Sequence, residues 1–160
     1  MKKVDIHTTL DVYEGIHELA EQDQSLMQQA IDARGRAYAP YSSFSVGCAL
    51  LLENGEVITG NNQENAAYPS GLCAERVAIF YAGSRFPGVA VKKLAITAGP
   101  KDNSLTKPVP PCGACRQSIA EYENNQGTPI QLLFMGAAGK VAKSSSLKDL
   151  LPLVFDRDYL

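Results

Sequence analysis

The amino-acid sequence predicts a layered α/β domain, and three observations carry that prediction. Apolar, strand-like segments recur at residues 44–52, 93–98 and 129–135. Segments of helical character lie between them, and an Asn54-Gly55 pair, which is a strong hairpin signal, follows the first of these strands. Helices that alternate with short apolar strands are typical of α/β layers.

The N-terminal segment, residues 1–24, is predicted to be an extension that adds a strand. Five of its residues alternate with mostly polar neighbours: Val4, Ile6, Thr8, Leu10 and Val12. A period of two is typical of a strand with one buried face, and Gly15 marks its end. Residues 25–160 are predicted to form one domain, because 160 residues suit a single core and neither a repeat nor a linker interrupts them.

Turn and capping signals place the remaining elements. A capping box at Ser25 and Gln28 predicts a helix through about Ala37, which Pro40 stops. The hairpin partner of the first apolar strand is predicted at 56–59. Further elements are predicted in this order: a helix at 73–82 that ends at Gly83, the strand 93–98, a helix at 112–123, the strand 129–135, a short strand near Val141, and a helix that Ser146 and Asp149 cap and Pro152 ends.

Composition and charge exclude several classes of function. The formal net charge is −2, so no basic field is available to attract nucleic acid, and a polymeric substrate is not expected. The apolar runs fall far short of the roughly 20 residues of a membrane span, and no apolar signal core follows the first residues. We therefore expect a cytoplasmic protein, in which four cysteines are more often metal ligands, buried thiols or catalytic groups than disulfides.

Two short cysteine motifs, Cys73-Ala74-Glu75 and Pro111-Cys112-Gly113-Ala114-Cys115, supply three thiols that could bind one metal ion. Cys112 and Cys115 share a face at the start of a helix, and helix N-termini favour the thiolate that zinc requires. Three protein ligands leave the fourth position of Zn²⁺ to water, which is the pattern of a catalytic zinc site. Glu75 is then the best acid–base candidate, and Arg76 could offset the thiolate charge.

A structural zinc site is the alternative from another functional class, and it would need a fourth protein ligand. The only histidines, His7 and His17, lie in the N-terminal segment and are expected at the surface. Cys48 lies inside an apolar strand and is expected in the core. The sequence therefore favours water at the fourth position, while a non-catalytic protein whose zinc joins two helices stays open.

Four motifs in one order resemble the small cytidine deaminases, from about Ser25 to Phe155. The Cys-Ala-Glu and Pro-Cys-x-x-Cys pair alone marks the wider zinc-deaminase superfamily. The motifs are Ala39-Pro40-Tyr41-Ser42-x-Phe44-x-Val46-Gly47, Asn62-x-Glu64-Asn65-Ala66-Ala67-Tyr68, Cys73-Ala74-Glu75-Arg76 and Pro111-Cys112-Gly113-Ala114-Cys115-Arg116-Gln117.

The resemblance implies a role for each matching residue. Cys73, Cys112 and Cys115 would bind one Zn²⁺ per chain, with Arg76 steadying the thiolates. Glu75 would carry protons between water, N3 of cytosine and the departing amine. The substrate would contact the Phe44 ring, the Asn62 and Glu64 side chains at the ribose 3′-hydroxyl, the backbone of Ala74 and Pro111, and Phe155 of a neighbouring subunit.

The resemblance also implies a fold and an activity. The expected fold is a three-layer α/β/α domain with a mixed five-stranded sheet, assembled as a homotetramer. The expected activity is zinc-dependent hydrolytic deamination of cytidine and deoxycytidine in pyrimidine salvage. A related aminopyrimidine nucleoside such as blasticidin S is an alternative substrate. At the C-terminus, Leu153-Val154 stand where the family usually has a small Gly-Ala-type pair before the Phe.

Overall fold

The computed structural model describes residues 1–160 and contains a six-stranded mixed sheet with three α-helices. The helices are α1 (Glu21–Arg34), α2 (Ala74–Arg85) and α3 (Gly113–Gln126). The strands are β1 (Asp11–Tyr13), β2 (Phe44–Leu52), β3 (Val57–Asn61), β4 (Val91–Pro100), β5 (Gln131–Met135) and β6 (Val141–Ser144). Their spatial order is β1-β6-β5-β4-β2-β3, and only β4 and β5 run parallel.

The α/β prediction is confirmed, but the expected number of five strands is wrong. The sixth strand is β1, which pairs antiparallel with β6 through Asp11 opposite Lys143 and Tyr13 opposite Val141. It is much shorter than the strand predicted over residues 4–12. In this register Ser144, the last residue of β6, faces Leu10, and the chain turns there into a 3₁₀ helix at Leu147–Asp149, so residues 4–9 have no partner strand.

The sheet separates two apolar cores. On one face, α1 packs Leu26, Met27 and Ala30 against alternate residues of β2, β4 and β5. On the other face, α2 and α3 pack Ile79 and Ile119 against the intervening residues of the same strands. Because both faces are covered, β2 is buried almost continuously from Gly47 to Leu52, and the sequence there is an unbroken apolar run.

Several predicted boundaries differ from the observed ones. Helix α1 begins at Glu21, so Ser25 lies inside the helix and does not cap it. Helix α2 runs to Arg85 and contains Gly83, where an added Cβ would lie 2.5 Å from the Tyr122 hydroxyl of α3. This glycine therefore permits close helix packing and does not end the helix. Ser146 does cap a helix, but only the three-residue 3₁₀ helix at Leu147–Asp149.

Close packing brings the first turns of α2 and α3 to one end of the sheet. At Gly60 of β3, an added Cβ would lie 2.5 Å from the carbonyl oxygen of Ala74, so only glycine permits this approach of the α2 N-terminus. Helix α3 makes the crossover between the parallel strands β4 and β5. No helix of the protein combines the length and the apolar character needed to cross a lipid bilayer.

Candidate active site

Three thiols converge between the N-termini of α2 and α3. Cys73 is the N-cap residue of α2, Cys112 is the N-cap residue of α3, and Cys115 lies in the first turn of α3. The Sγ atoms of Cys73 and Cys112 are 3.9 Å apart, and those of Cys112 and Cys115 are 3.4 Å apart. Both helix N-termini direct positive partial charge at the sulfurs, which stabilises thiolates.

This cluster has the dimensions of a tetrahedral zinc site. With Zn–S bonds of about 2.3 Å, tetrahedral ligands lie roughly 3.8 Å apart, and all three Sγ atoms here lie within 4.8 Å of one another. Hydrogen bonding to Cys115, with help from Arg76, lowers the pKa of the Cys73 thiol to about 5. The donor set therefore fits one zinc ion per chain, and it leaves one tetrahedral position without a protein ligand.

Arg76 is the cation nearest to this cluster along α2. Its Nη2 atom donates to the Sγ atom of Cys73 at 3.9 Å, and its Nε atom is buried without a partner. A guanidinium in this position offsets part of the negative charge that three thiolates bring to the site. The role that the resemblance implies for Arg76, steadying the thiolates of a bound zinc, stays a prediction.

Glu75 lies one position after the start of α2, and its burial is unusual for a carboxylate. The residue is 4% exposed, and its Oε2 atom has no hydrogen-bond partner. Burial raises the pKa of the Glu75 carboxyl to about 7. An unpartnered buried carboxyl beside the thiol cluster is suited to exchange protons with a bound molecule, because a water or substrate atom would complete its hydrogen bonds.

A cleft of 630 Å³ opens beside Cys73 and Arg76, which form part of its wall. Three further predicted site residues line it: Phe44, Asn62 and Glu64. Tyr41 and Tyr68 meet edge to face at its rim, with ring centroids 6.2 Å apart. The cleft thus combines aromatic surfaces with a few polar groups, as small-molecule sites commonly do.

The Glu64 carboxylate is fixed by the Ala39-Pro40-Tyr41-Ser42 loop. Ser42 Oγ donates to its Oε1 atom, while the backbone N–H groups of Tyr41 and Ser42 donate to Oε2 at 2.9 Å and 3.3 Å. The Ser42 hydroxyl, followed by the Tyr41 N–H, holds the pKa of this carboxyl below its usual range. Glu64 is therefore an oriented negative charge at the cleft wall.

The Asn62 side chain makes two hydrogen bonds to the start of β2 that the sequence does not reveal. Its Oδ1 atom accepts from the Val46 N–H at 2.8 Å, and its Nδ2 atom donates to the Phe44 carbonyl at 2.9 Å. The side chain is thereby locked against the first residues of β2, and one N–H and one oxygen lone pair remain for a ligand. The same two bonds fix the backbone that carries the Phe44 ring.

Residues 20–126 match the family described as the cytidine and deoxycytidylate deaminase zinc-binding region. The chain belongs to this family. The matched range contains the three clustered cysteines, Glu75 and the cleft residues, so the zinc-binding region of the family coincides with the observed thiol cluster.

Similar proteins and structures carry the same family name. A cytidine deaminase of Halalkalibacterium halodurans is 51% identical over 100 residues, which cover 61% of this chain and 70% of that protein. A cytidine deaminase of Sporosarcina psychrophila is 42% identical over 138 residues, covering 86% and 93%. The crystal structure of a cytidine deaminase from Burkholderia pseudomallei superposes with a TM-score of 0.72 at 36% identity, covering 86% of this chain and all of that one.

Of the remaining predicted site residues, Ala74 and Pro111 are chain neighbours of the clustered cysteines, whereas Phe155 lies apart from them. Ala74 is fully buried at the start of α2, and Pro111 directly precedes the second cysteine motif. Phe155 lies outside the cleft of its own chain: it is 59% exposed, stacks on Tyr159 and accepts a hydrogen bond from Gln117 at its carbonyl. Cys48 is fully buried, and both histidines are exposed, as the sequence predicts.

Two residues of the site could not be assigned a role from the sequence. Ser42 orients Glu64, and Arg116 links the backbone next to the thiol cluster to the C-terminal segment. Its Nε atom donates to the Pro111 carbonyl at 2.8 Å, and its Nη1 atom donates to the Leu150 carbonyl at 2.9 Å. Both residues stand inside the motifs that carry the family resemblance, and that position is the only sequence signal for either.

Proposed function

We propose that the protein catalyses the hydrolytic deamination of cytidine and deoxycytidine to uridine and deoxyuridine, with release of ammonia. The observation that carries this proposal is the buried, unpartnered Oε2 atom of Glu75 beside three thiols that fit zinc. Membership of the deaminase family and relatives named cytidine deaminase support the same reaction. Zinc held by the thiolates would supply an activated water.

Glu75 would perform the proton transfers of this reaction. The carboxylate accepts a proton from water as the water oxygen bonds to C4 of the pyrimidine, and it delivers that proton to N3. It then takes the remaining proton of that oxygen, now a hydroxyl on C4, and passes it to the exocyclic amine. The C4 oxygen becomes a carbonyl as the C4–N4 bond breaks and ammonia leaves. A pKa raised to about 7 by burial suits a group that must both accept and donate protons near neutral pH.

The cleft favours a free nucleoside over a nucleotide. Glu64, held as an oriented carboxylate, can accept a hydrogen bond from a sugar hydroxyl, and Asn62 keeps one N–H free to donate. A phosphate at this position would be repelled by the negative charge of Glu64. Phe44 would contact the substrate from the cleft wall, and the backbone of Ala74 and Pro111 would contact polar groups of the base.

A substrate panel on the purified protein tests the reaction. We expect ammonia release from cytidine and deoxycytidine, about one zinc per chain, and little turnover of cytidine monophosphate. Turnover of blasticidin S with no turnover of cytidine would assign the site to another aminopyrimidine nucleoside. Bound zinc with no turnover of any such nucleoside would assign the metal a structural role.

Replacement of Glu75 by Gln tests the mechanism. We expect kcat to fall at least about 10²–10⁴-fold, the range of general acid–base catalysis, because one group serves several transfers. Zinc content should stay at the wild-type level, since Glu75 is not a ligand. Glu56→Gln, at an exposed hairpin carboxylate, is the control and should leave kcat unchanged. Near-full activity of Glu75→Gln would refute the proposed role.

We further propose, from the family resemblance, that the protein is a cytoplasmic homotetramer whose residues 25–160 form the catalytic domain. In that assembly the exposed Phe155 ring of one subunit would complete the cleft of a neighbour. A mass of four chains by light scattering, together with a raised KM for Phe155→Ala, would support this arrangement. A monomeric protein of full activity would contradict it.

A further inference from the structure

The first ten residues are an unpaired segment beside a free sheet edge. All ten are exposed, they contain no turn or bend, and none of them takes part in a backbone hydrogen bond. They lead directly into β1, which is the last strand of the sheet and has only β6 as a neighbour. Unpaired backbone next to an open edge is a ready template for pairing with another strand.

We propose that residues 2–14 of two copies of this chain pair as antiparallel strands centred on Thr8, joining the two sheets at their β1 edges. Residue i of one copy would then lie opposite residue 16 − i of the other. Residues 3–5 of each copy would occupy the free edge of the other copy's β1. This inference goes beyond the proposed deaminase activity and does not depend on it.

The apolar pattern of the segment is self-complementary in this register. Val4 would lie opposite Val12, and Ile6 opposite Leu10, each pair occurring twice about the two-fold axis. All four side chains are between 40% and 76% exposed in the single chain. Val12 pairs with Ala142, which belongs to the core under α2 and α3, so these even-numbered residues project on that face of the sheet. Directly opposed apolar side chains stabilise antiparallel pairs.

The charges of the segment favour antiparallel over parallel pairing. Lys2 and Lys3 stand at one end, while Asp11 and Glu14 stand at the other. Antiparallel pairing places Lys2 opposite Glu14, and Lys3 diagonally beside Asp11, whereas parallel pairing would place like charges together. Asp5 would lie opposite Asp11 on the other face, where both are exposed and Lys3 flanks them. The Glu14 carboxylate already accepts a hydrogen bond from Lys140 Nζ at 2.8 Å. In the pair it would be shared between Lys140 and Lys2 of the other copy.

Cysteine substitutions at positions 7, 8 and 9 test the register. Only Thr8 lies opposite its own copy, so Thr8→Cys should form an intermolecular disulfide several-fold faster than His7→Cys or Thr9→Cys in a glutathione redox buffer. A disulfide requires Cα atoms closer than about 7 Å, and residues offset by two positions lie at or beyond that limit. All three positions are exposed, so random collision would link them equally.

Two controls complete the experiment. The wild-type chain should form no covalent dimer, because Cys48 is buried and the other cysteines belong to the thiol cluster. Adding Ile6→Asp and Leu10→Asp to Thr8→Cys should abolish the link by removing the apolar pairs. Equal linking at all three positions, fastest linking at position 7 or 9, or no linking would overturn the proposal. The readout is a non-reducing gel, so it is independent of deaminase activity.

Discussion

At the scale of single residues, the Ser42 hydroxyl is one of three hydrogen-bond donors that hold the Glu64 carboxylate at the cleft wall. We expect Ser42→Ala to raise KM for cytidine about tenfold with a smaller change in kcat. A hydrogen bond to a charged group contributes roughly 1.5–3 kcal/mol, and the lower end applies because two backbone N–H groups still hold Glu64. Steady-state kinetics would measure this split, with Ser25→Ala at an exposed position of α1 as the control. An unchanged KM would remove Ser42 from substrate binding.

Arg76 is expected to act through the thiolates and not on the substrate directly. Removal of its charge in Arg76→Ala should lower activity or zinc retention roughly 10–100-fold, the usual range for groups that support metal ligands. Arg76→Lys keeps the charge but loses the planar set of donors, so its effect should be intermediate. Zinc content after challenge with a chelator, measured beside kcat, would check both variants. Unchanged values in Arg76→Ala would exclude it from the site.

The sequence predicts some of these residues better than others for a geometric reason. The thiols and Glu75 lie in two short motifs at helix starts: Cys112 and Cys115 share a face of α3, and Glu75 follows Cys73 by only two residues at the start of α2. Ser42 reaches Glu64 across 22 positions, and Arg116 reaches Leu150 across 34. Such contacts depend on how β2, β3 and α3 are packed, and no local spacing encodes that.

At the scale of elements, Glu123 ties the end of α3 to two later segments. Its buried carboxylate accepts from the backbone N–H groups of Ile130 at 2.7 Å and Leu147 at 2.9 Å, and from Ser146 Oγ at 2.7 Å. These donors compensate a negative charge that lies unfavourably near a helix C-terminus. One residue thereby connects α3, the start of β5 and the 3₁₀ helix after β6.

We expect Glu123→Gln to lower the free energy of unfolding by about 1–2 kcal/mol, because the neutral amide oxygen in the place of Oε2 is a weaker acceptor than a carboxylate for the N–H groups of Ile130 and Leu147. The matched control is Glu121→Gln on the exposed side of the same helix, which should change it by less than about 0.5 kcal/mol. Urea unfolding of both variants would measure the difference. Equal stability of the two variants would show that the Glu123 contacts contribute little.

Element types could be predicted from hydrophobic period, but element ends could not. The strand β2 follows from its apolar run and its Asn54-Gly55 turn. The first strand is short because its partner β6 ends, and Gly83 does not end α2 but lies inside it, where Tyr122 of another helix packs against it. In both cases the role of the residues depends on a partner distant in sequence.

At the scale of the whole molecule, one buried charge joins α1 to strands on both sides of β5. Asp23 is 1% exposed and accepts from Lys93 of β4 at 2.5 Å and from Lys143 of β6 at 2.9 Å. Burial alone would raise the pKa of Asp23, but the hydrogen bonds from the two lysines outweigh it and hold the pKa below its usual value of 3.8. The lysine pairs therefore stabilise the ionised form.

This network predicts a specific pH dependence of stability. Because the folded pKa of Asp23 is depressed, its contribution is complete above the unfolded pKa near 3.8 and is lost as pH falls through the folded pKa. At pH 7 we expect Asp23→Asn to lower the free energy of unfolding by roughly 1–3 kcal/mol. This is less than the roughly 3–5 kcal/mol of a fully buried pair, because the lysines are 19% and 22% exposed.

The control for this prediction is Asp32→Asn, at an exposed position of the same helix. Thermal unfolding at pH 7 and near pH 3 should show the Asp23→Asn deficit shrinking in acid; a deficit that is equal at both pH values would mean that charge pairing is not its cause.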